Sequence, residues 1–143
     1  MGTFTSSTAP RIAYQAALPS NAEQALTKDI ISAAIDVHRS LGPGLLESAY
    51  QVCLCRELEL HDLRFRLQVE LPVVYKDVKL DCGYQIDFIV EENVVLELKA
   101  IERILPVHQA QLLTYLRLSG LRVGLLINFN VPVLKDGIRR SVL

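Results

Sequence analysis

The sequence predicts an α/β sandwich, a mixed sheet with helices packed against it, in the order α-α-β-β-β-α-β. Three observations lead there. Apolar residues recur at three- and four-residue steps between Leu26 and Leu58. The step then changes to alternation between Arg66 and Lys99. After Pro106 a helical period returns, and one further apolar strand follows it.

The first helix lies in ALTKDIISAAIDVHRSLG, where Leu26, Ile30, Ala33, Ala34 and Val37 form one stripe. Thr27 or Asn21 is expected to cap its start, and Gly42-Pro43-Gly44 stops it. A second helix follows directly in LLESAYQVCLCRELEL, with Leu46, Ala49, Tyr50, Cys53, Leu54 and Leu58 as its stripe, and ends at His61-Asp62. In FRLQVELPVVY, Leu67, Val69, Leu71 and Val73 alternate with Arg66, Gln68, Glu70 and Pro72, the pattern of a half-buried strand. KDVK reads as a turn. YQIDFIV and VVLELKA are the next two strands, joined by Glu91-Glu92-Asn93. VHQAQLLTYLRLSG is a helix closed by Gly120 as its C′ residue. RVGLLINF is a buried strand, and VPVLKDGIRRSVL leaves room for a short edge element.

Composition bounds the function. A chain of 143 residues suits one domain, here residues 25–143, preceded by a loosely ordered arm, residues 1–24, rich in Ser, Thr, Ala and Pro. Half of the residues are hydrophobic and 22% are charged, the profile of a soluble protein with a sizeable core. No apolar run approaches the roughly 20 residues needed to cross a bilayer. The start lacks the basic and apolar regions of a signal peptide, so a cytoplasmic location is expected, with no membrane partner. The net charge of −1 speaks against a generally basic, DNA-coating protein, though a local basic groove remains compatible with it. Cys53, Cys55 and Cys82 match no disulfide framework. With His61 they do not reach a zinc set either, since C-x-C is not the usual spacing and a fourth ligand is missing.

The charges inside VVLELKA carry the chemistry. With a three-residue connection, Val90 pairs with Val94, Phe88 with Leu96, and Asp87 falls opposite Glu97. Asn93 is expected to take the left-handed position of that turn. In this register Asp87, Glu97 and Lys99 share one face, and Tyr84, Ile86 and Phe88 take the other with Leu96 and Leu98. Opposed acids repel unless a cation lies between them, and a divalent metal meets that need. Mg²⁺ takes hard oxygen ligands and is commonly held by carboxylates plus a phosphate. A solvated ion cluster is the plainer reading of D-x₉-E-x-K taken alone. Two helix faces add to it: Glu47 and Tyr50 at i, i+3, on the face that otherwise carries the apolar stripe, and His108, Gln111 and Tyr115 at i, i+3, i+7, on one polar face.

GLLESAY (Gly44, Glu47, Tyr50) is the G-x-x-E-x-x-Y signature for which a family of small bacterial proteins is named. The sequence resembles that family from about Ala25 to Leu143, including HRSLGPGLLESAY, ELKAIERILPVHQAQLLTYLRLSGLRVGLLINFN and LKDGI. The family is placed in the PD-(D/E)XK nuclease-like superfamily, in which a helix glutamate, a hairpin aspartate and an E-x-K strand build a metal site. Glu47, Asp87, Glu97 and Lys99 match those positions, with Ile86 where the half-motif has proline. QLLTY (Gln111, Tyr115) resembles the Q-x-x-x-Y motif of the branch containing RecB-like and Cas4-like nucleases. Some of those carry a four-cysteine iron–sulfur cluster, which these three cysteines do not supply.

The resemblance implies a restriction-endonuclease-like three-layer sandwich and a Mg²⁺- or Mn²⁺-dependent nuclease, acting on DNA ahead of RNA. It implies Asp87, Glu97 and the Leu98 carbonyl as metal ligands, with Glu47 binding through water or in a second site. Lys99 would orient or deprotonate the attacking water, and Gln111 and Tyr115 would position substrate or Lys99. His108 and Tyr50 are further candidates for positioning substrate, and Arg103, Arg117, Arg139 and Arg140 for contacting phosphate. Nucleic acid is the expected partner; a homodimer or another protein partner stays open. The alternative is a catalytically inactive nucleic-acid- or protein-binding module on the same fold.

Overall fold

In the computed structural model the described residues are 19–81 and 83–143; most of the arm expected at residues 1–24, and Cys82, lie outside them. Two helices come first, α1 (Asn21–Leu41) and α2 (Glu47–Leu60), then strands β1 (Phe65–Glu70), β2 (Val73–Tyr75), β3 (Val78–Leu80), β4 (Gln85–Val90) and β5 (Val94–Lys99). Helix α3 (Pro106–Ser119) and strand β6 (Val123–Asn128) follow, then a 3₁₀ turn and β7 (Ile138–Val142).

Ser20 caps α1 rather than Asn21 or Thr27. Its Oγ accepts the Glu23 N–H at 3.0 Å, and Glu23 Oε1 accepts the Ser20 N–H at 2.8 Å. This reciprocal pair satisfies two amides that a helix start leaves open. Thr27 is buried within α1, its hydroxyl donating to the Gln24 carbonyl. Helix α3 ends at Gly120, whose φ of 78° is the left-handed C′ conformation expected there.

The main sheet has five strands in the order β1-β4-β5-β6-β7, with β5 and β6 parallel and the other pairs antiparallel. Helices α1 and α2 cover one face, burying Ile30, Ala33, Val37, Tyr50 and Leu54 against Phe88, Leu96, Leu98 and Leu125. Helix α3 covers the other, with Leu112, Tyr115 and Leu116 against Ile89, Val95 and Leu126. Three layers result, a restriction-endonuclease-like sandwich. Because β5 and β6 are covered on both sides they read as near-continuous apolar runs. Helix α3 sits so close over β6 that a Cβ added at Gly124 would meet Leu112 Cδ1 at 2.8 Å, and glycine is what permits that approach.

The strand run before β4 is more broken than alternation suggests. Leu71-Pro72 divides FRLQVELPVVY into β1 and β2, since proline cannot donate to a continuing ladder. The KDVK turn narrows to Lys76-Asp77, both at positive φ, closing a β2–β3 hairpin that forms a separate two-stranded sheet. The tail supplies β7 as an edge strand.

Two local expectations are corrected. Left-handed φ falls at Glu91 and Glu92, both 53°, rather than at Asn93. Their carboxylates reach back to β1: Glu91 accepts the Arg64 N–H at 2.6 Å and Glu92 takes the Arg66 guanidinium at 2.7 and 2.8 Å, which holds both residues in that turn. Ile86 packs on the α3 side instead of joining Phe88. Its partner Val69 moves with it. Between Leu67↔Phe88 and Val69↔Ile86 stands Gln68 at φ 49°, a left-handed residue opposite Asp87 that turns the ribbon beyond it.

Candidate metal centre

The β4–β5 ladder runs to Phe88↔Leu96 in the expected register, which sets Asp87 opposite Glu97. At that point side chains replace the backbone ladder. The Asp87 N–H donates to Glu97 Oε2 at 2.8 Å, and the Leu98 N–H donates to Asp87 Oδ2 at 2.9 Å. Each carboxylate therefore satisfies an amide of the facing strand, and each is held in place by it. Asp87 Oδ1 and Glu97 Oε1 accept no hydrogen bond among the described residues, where no fully buried polar side-chain atom lacks a partner. Both oxygens stay in contact with solvent.

The charges around this pair are unbalanced. Glu97 is only 6% exposed, and burial first, then the Asp87 carboxylate, push its carboxyl up to about 8. Burial raises Asp87 too, against the pull of the Leu98 amide and of Lys99. Glu47, at the first turn of α2, keeps an exposed side chain, yet desolvation and then Asp87 raise its carboxyl while Lys99 lowers it. On α3, burial and then Glu97 raise the Tyr115 hydroxyl, which accepts a hydrogen bond from Gln111 Nε2 at 2.9 Å. Five side chains from four elements thus share one field, three of them carboxylates facing one lysine.

The structure brings Glu47, Asp87, Glu97, Lys99, Gln111 and Tyr115 to one end of β5. Glu47 stands outside the carboxylate pair: only Asp36, Glu57 and His61 among the described residues form a trio of ligand atoms within 4.8 Å of one another. That trio joins α2 to α1. His61 Nδ1 lies 2.7 Å from Asp29 Oδ1, and its Nε2 lies 3.6 Å from Asp36 and 3.8 Å from Glu57. Asp29 foremost raises the imidazole, so a protonated His61 accounts for the cluster as an ion-pair clasp.

The remaining candidates, His108 excepted, are placed apart. Tyr50 is fully buried, stacked on Phe129 with centroids 4.6 Å apart. Its hydroxyl donates to the Gly42 carbonyl at 2.6 Å and accepts the Leu45 N–H at 3.1 Å, so it locks the turn that precedes Glu47 and has no surface to offer a substrate. His108 Nδ1 accepts the Leu105 N–H at the start of α3. Arg103 is exposed in the loop after β5, and Arg117 bonds Thr114. Arg139 is turned onto the carbonyls of Asp136 and Ile138, and Arg140 is exposed on the outermost strand β7. Cys53 and Cys55 are free thiols packed partly against the α1–α2 core.

Two asparagines that periodicity passes over hold the site together. Asn128 pairs with Lys99 across the parallel ladder, and its buried side chain bonds both the N–H and the carbonyl of Ile101 at 3.0 Å. Asn130 Oδ1 accepts the Gly44 N–H at 3.1 Å, and its amide reaches the Ile101 carbonyl. The segments leaving Lys99 and entering Glu47 are tied to the same two residues. Two amide side chains at the end of the apolar run LLINFN were the available signal.

The chain belongs to the PD-(D/E)XK nuclease superfamily, whose family model matches residues 24–141. No curated protein and no solved structure matches it.

Proposed function

We propose that this protein is a divalent-metal-dependent nuclease hydrolysing phosphodiester bonds, DNA ahead of RNA, and that it belongs to the G-x-x-E-x-x-Y family within the Q-x-x-x-Y branch. The observation that carries this reading is the opposed Asp87–Glu97 pair, each carboxylate fixed by a facing amide and each keeping a second oxygen at the solvent side. The donor set fits Mg²⁺ or Mn²⁺, being hard oxygen held in an environment short of positive charge. Asp87 Oδ1, Glu97 Oε1 and the Leu98 carbonyl would hold the ion. The Leu98 N–H faces β4, and in a strand the carbonyl of the same residue faces the same side. Bound there, the ion would supply Lewis acidity toward a phosphate oxygen.

The remaining residues do work of their own. Lys99 Nζ, on the face of Glu97, orients the attacking water or takes its proton and offers positive charge to the phosphate as negative charge develops. Glu47 takes a water-mediated or second-site role, consistent with its position outside the pair. Gln111 and Tyr115 form a hydrogen-bonded couple that positions substrate beside Glu97.

Labelled single- and double-stranded DNA is incubated with Mn²⁺ and the wild type, Asp87→Ala or Lys99→Ala. Cleavage by the wild type alone supports the reading. Equal traces from all three proteins overturn it and leave the inactive binding module.

A further inference from the structure

Beside the carboxylate pair lies a cavity of about 470 Å³, between α3 and the β2–β3 hairpin. Its size is that of a small-molecule site. Leu71, Val73 and Leu80 form one wall and Leu118 closes the opposite side. The polar atoms gather on α3. His108 Nδ1 accepts the Leu105 N–H, so the neutral ring carries its proton on Nε2 and presents a donor. Gln111 Nε2 donates to Tyr115 while its Oε1 stays an acceptor, and the Tyr115 hydroxyl, already accepting, keeps its own proton to donate. At the rim stands Tyr84, a ring 46% exposed.

Among the described residues no cationic side chain lines this cavity, so a phosphate alone gains little from them. Its contents are apolar walls for a flat ring, an aromatic rim, and donors and an acceptor on one edge. Tyr115 lines the cavity and packs in the same cluster as Ile86, the residue before Asp87, so the cavity opens on the face of the sheet that carries the carboxylates. With a net charge of −1 the protein has little general attraction for a polyanion. Stacking is the sequence-tolerant contribution that can replace it.

We propose that this cavity takes an unpaired nucleobase of a single-stranded substrate, Tyr84 stacking on it and His108, Gln111 and Tyr115 meeting its edge, beside the phosphate at Asp87 and Glu97. The proposal rests on the nuclease reading and adds its substrate class. A base inside a duplex must first be unpaired and unstacked, a penalty that a single strand avoids.

Binding is measured by fluorescence anisotropy in EDTA with a labelled single-stranded oligonucleotide, copies carrying one abasic position each, and the matching duplex. The single strand should bind more tightly than the duplex. One abasic position should weaken binding about 5- to 150-fold, the range expected for one stacked base. Tyr84→Ala should remove that discrimination and Tyr84→Trp should restore it. Leu118→Trp, which fills the cavity, should remove it again while circular dichroism and Tm report an intact fold. Equal binding of intact and all abasic strands overturns the proposal, as does duplex binding as tight as single-strand binding, or no binding to any of them. Mn²⁺ cleavage on the same oligonucleotides separates the two readings. Base-dependent binding without cleavage leaves the pocket and removes the nuclease; cleavage indifferent to abasic positions leaves the nuclease and removes the pocket.

Discussion

Asp87 and Glu97 each hold the backbone of the other's strand, Glu97 Oε2 taking the Asp87 amide and Asp87 Oδ2 taking the amide of Leu98. Two residues that repel as charges are thereby locked together as hydrogen-bond acceptors. Burial raises both carboxyls, and the Asp87 charge adds to it at Glu97; the geometry survives because four backbone and side-chain groups would otherwise lose their partners.

That tension has a pH signature. A carboxyl raised from an ordinary 4.5 to about 8 by folding contributes most to stability below pH 4.5 and loses that contribution as pH rises through about 8. Metal-free protein should therefore lose Tm over this window, and saturating Mg²⁺ or Mn²⁺ should restore it at the alkaline end. Glu97→Gln keeps an acceptor for the Asp87 amide and removes the charge. It should melt higher than metal-free wild type at pH 8.5, by roughly 2–4 °C for each kcal/mol recovered, and show no metal response. A metal-induced shift of wild-type size in the variant would count against this site.

Tyr50 is predicted to act through structure alone. Tyr50→Phe keeps the stack on Phe129 and deletes the bonds to Gly42 and Leu45. Two lost hydrogen bonds in a buried turn should cost about 1–3 kcal/mol by urea unfolding. Substrate KM should stay within about twofold of wild type, whereas a residue touching substrate would move KM at unchanged stability.

Asn128 should matter to both stability and rate. Asn128→Ala leaves the half-buried Ile101 N–H without its partner and the Ile101 carbonyl with only the longer bond from Asn130, at a cost of about 1–3 kcal/mol. The segment that follows Lys99 then loosens, and misplacement of a catalytic group by about 1 Å can lower turnover about 100-fold. Unfolding curves and Mn²⁺-dependent cleavage read the two effects separately; full turnover in a destabilised Asn128→Ala would dismiss the positioning role.

The His61 clasp carries a second pH dependence. Asp29 chiefly raises the imidazole, so the clasp is fully present below the ordinary histidine value of 6.5 and fades as pH climbs through the raised folded value. Its acidic partners are partly exposed, so the gain is about 1 kcal/mol or less. His61→Asn should be less stable than wild type at pH 6 and close to it at pH 9.

Much of this was readable in one dimension. Helix α1 is marked by its stripe of small and branched apolar residues, β5 and β6 by unbroken apolar runs, and the end of α3 by Gly120. The period of a buried face is local, so the chain displays it without knowing its partners. The Asp87–Glu97 opposition follows the same way, because hairpin register is set by the length of a short connection.

Where a side chain's role depends on groups distant in sequence, only the tertiary structure decided it. Spacing offers Tyr50 both to the apolar stripe of α2 and, with Glu47, to substrate positioning; Phe129, far along the chain, stacks on it and decides for the core. Glu91 and Glu92 take left-handed turns with their carboxylates on the Arg64 amide, just before β1, and on the Arg66 guanidinium within it, which no turn propensity encodes. Ile86 changes face because Gln68 twists the ribbon opposite Asp87. Asn128 and Asn130 tie Ile101 and Gly44 across separations of 27 and 86 residues. The sequence by itself determined the layers, the register of the hairpin and which acids face each other. Folding decided how those acids are held, what surrounds them and which cavity opens beside them, because burial and long-range hydrogen bonds exist only once distant segments meet.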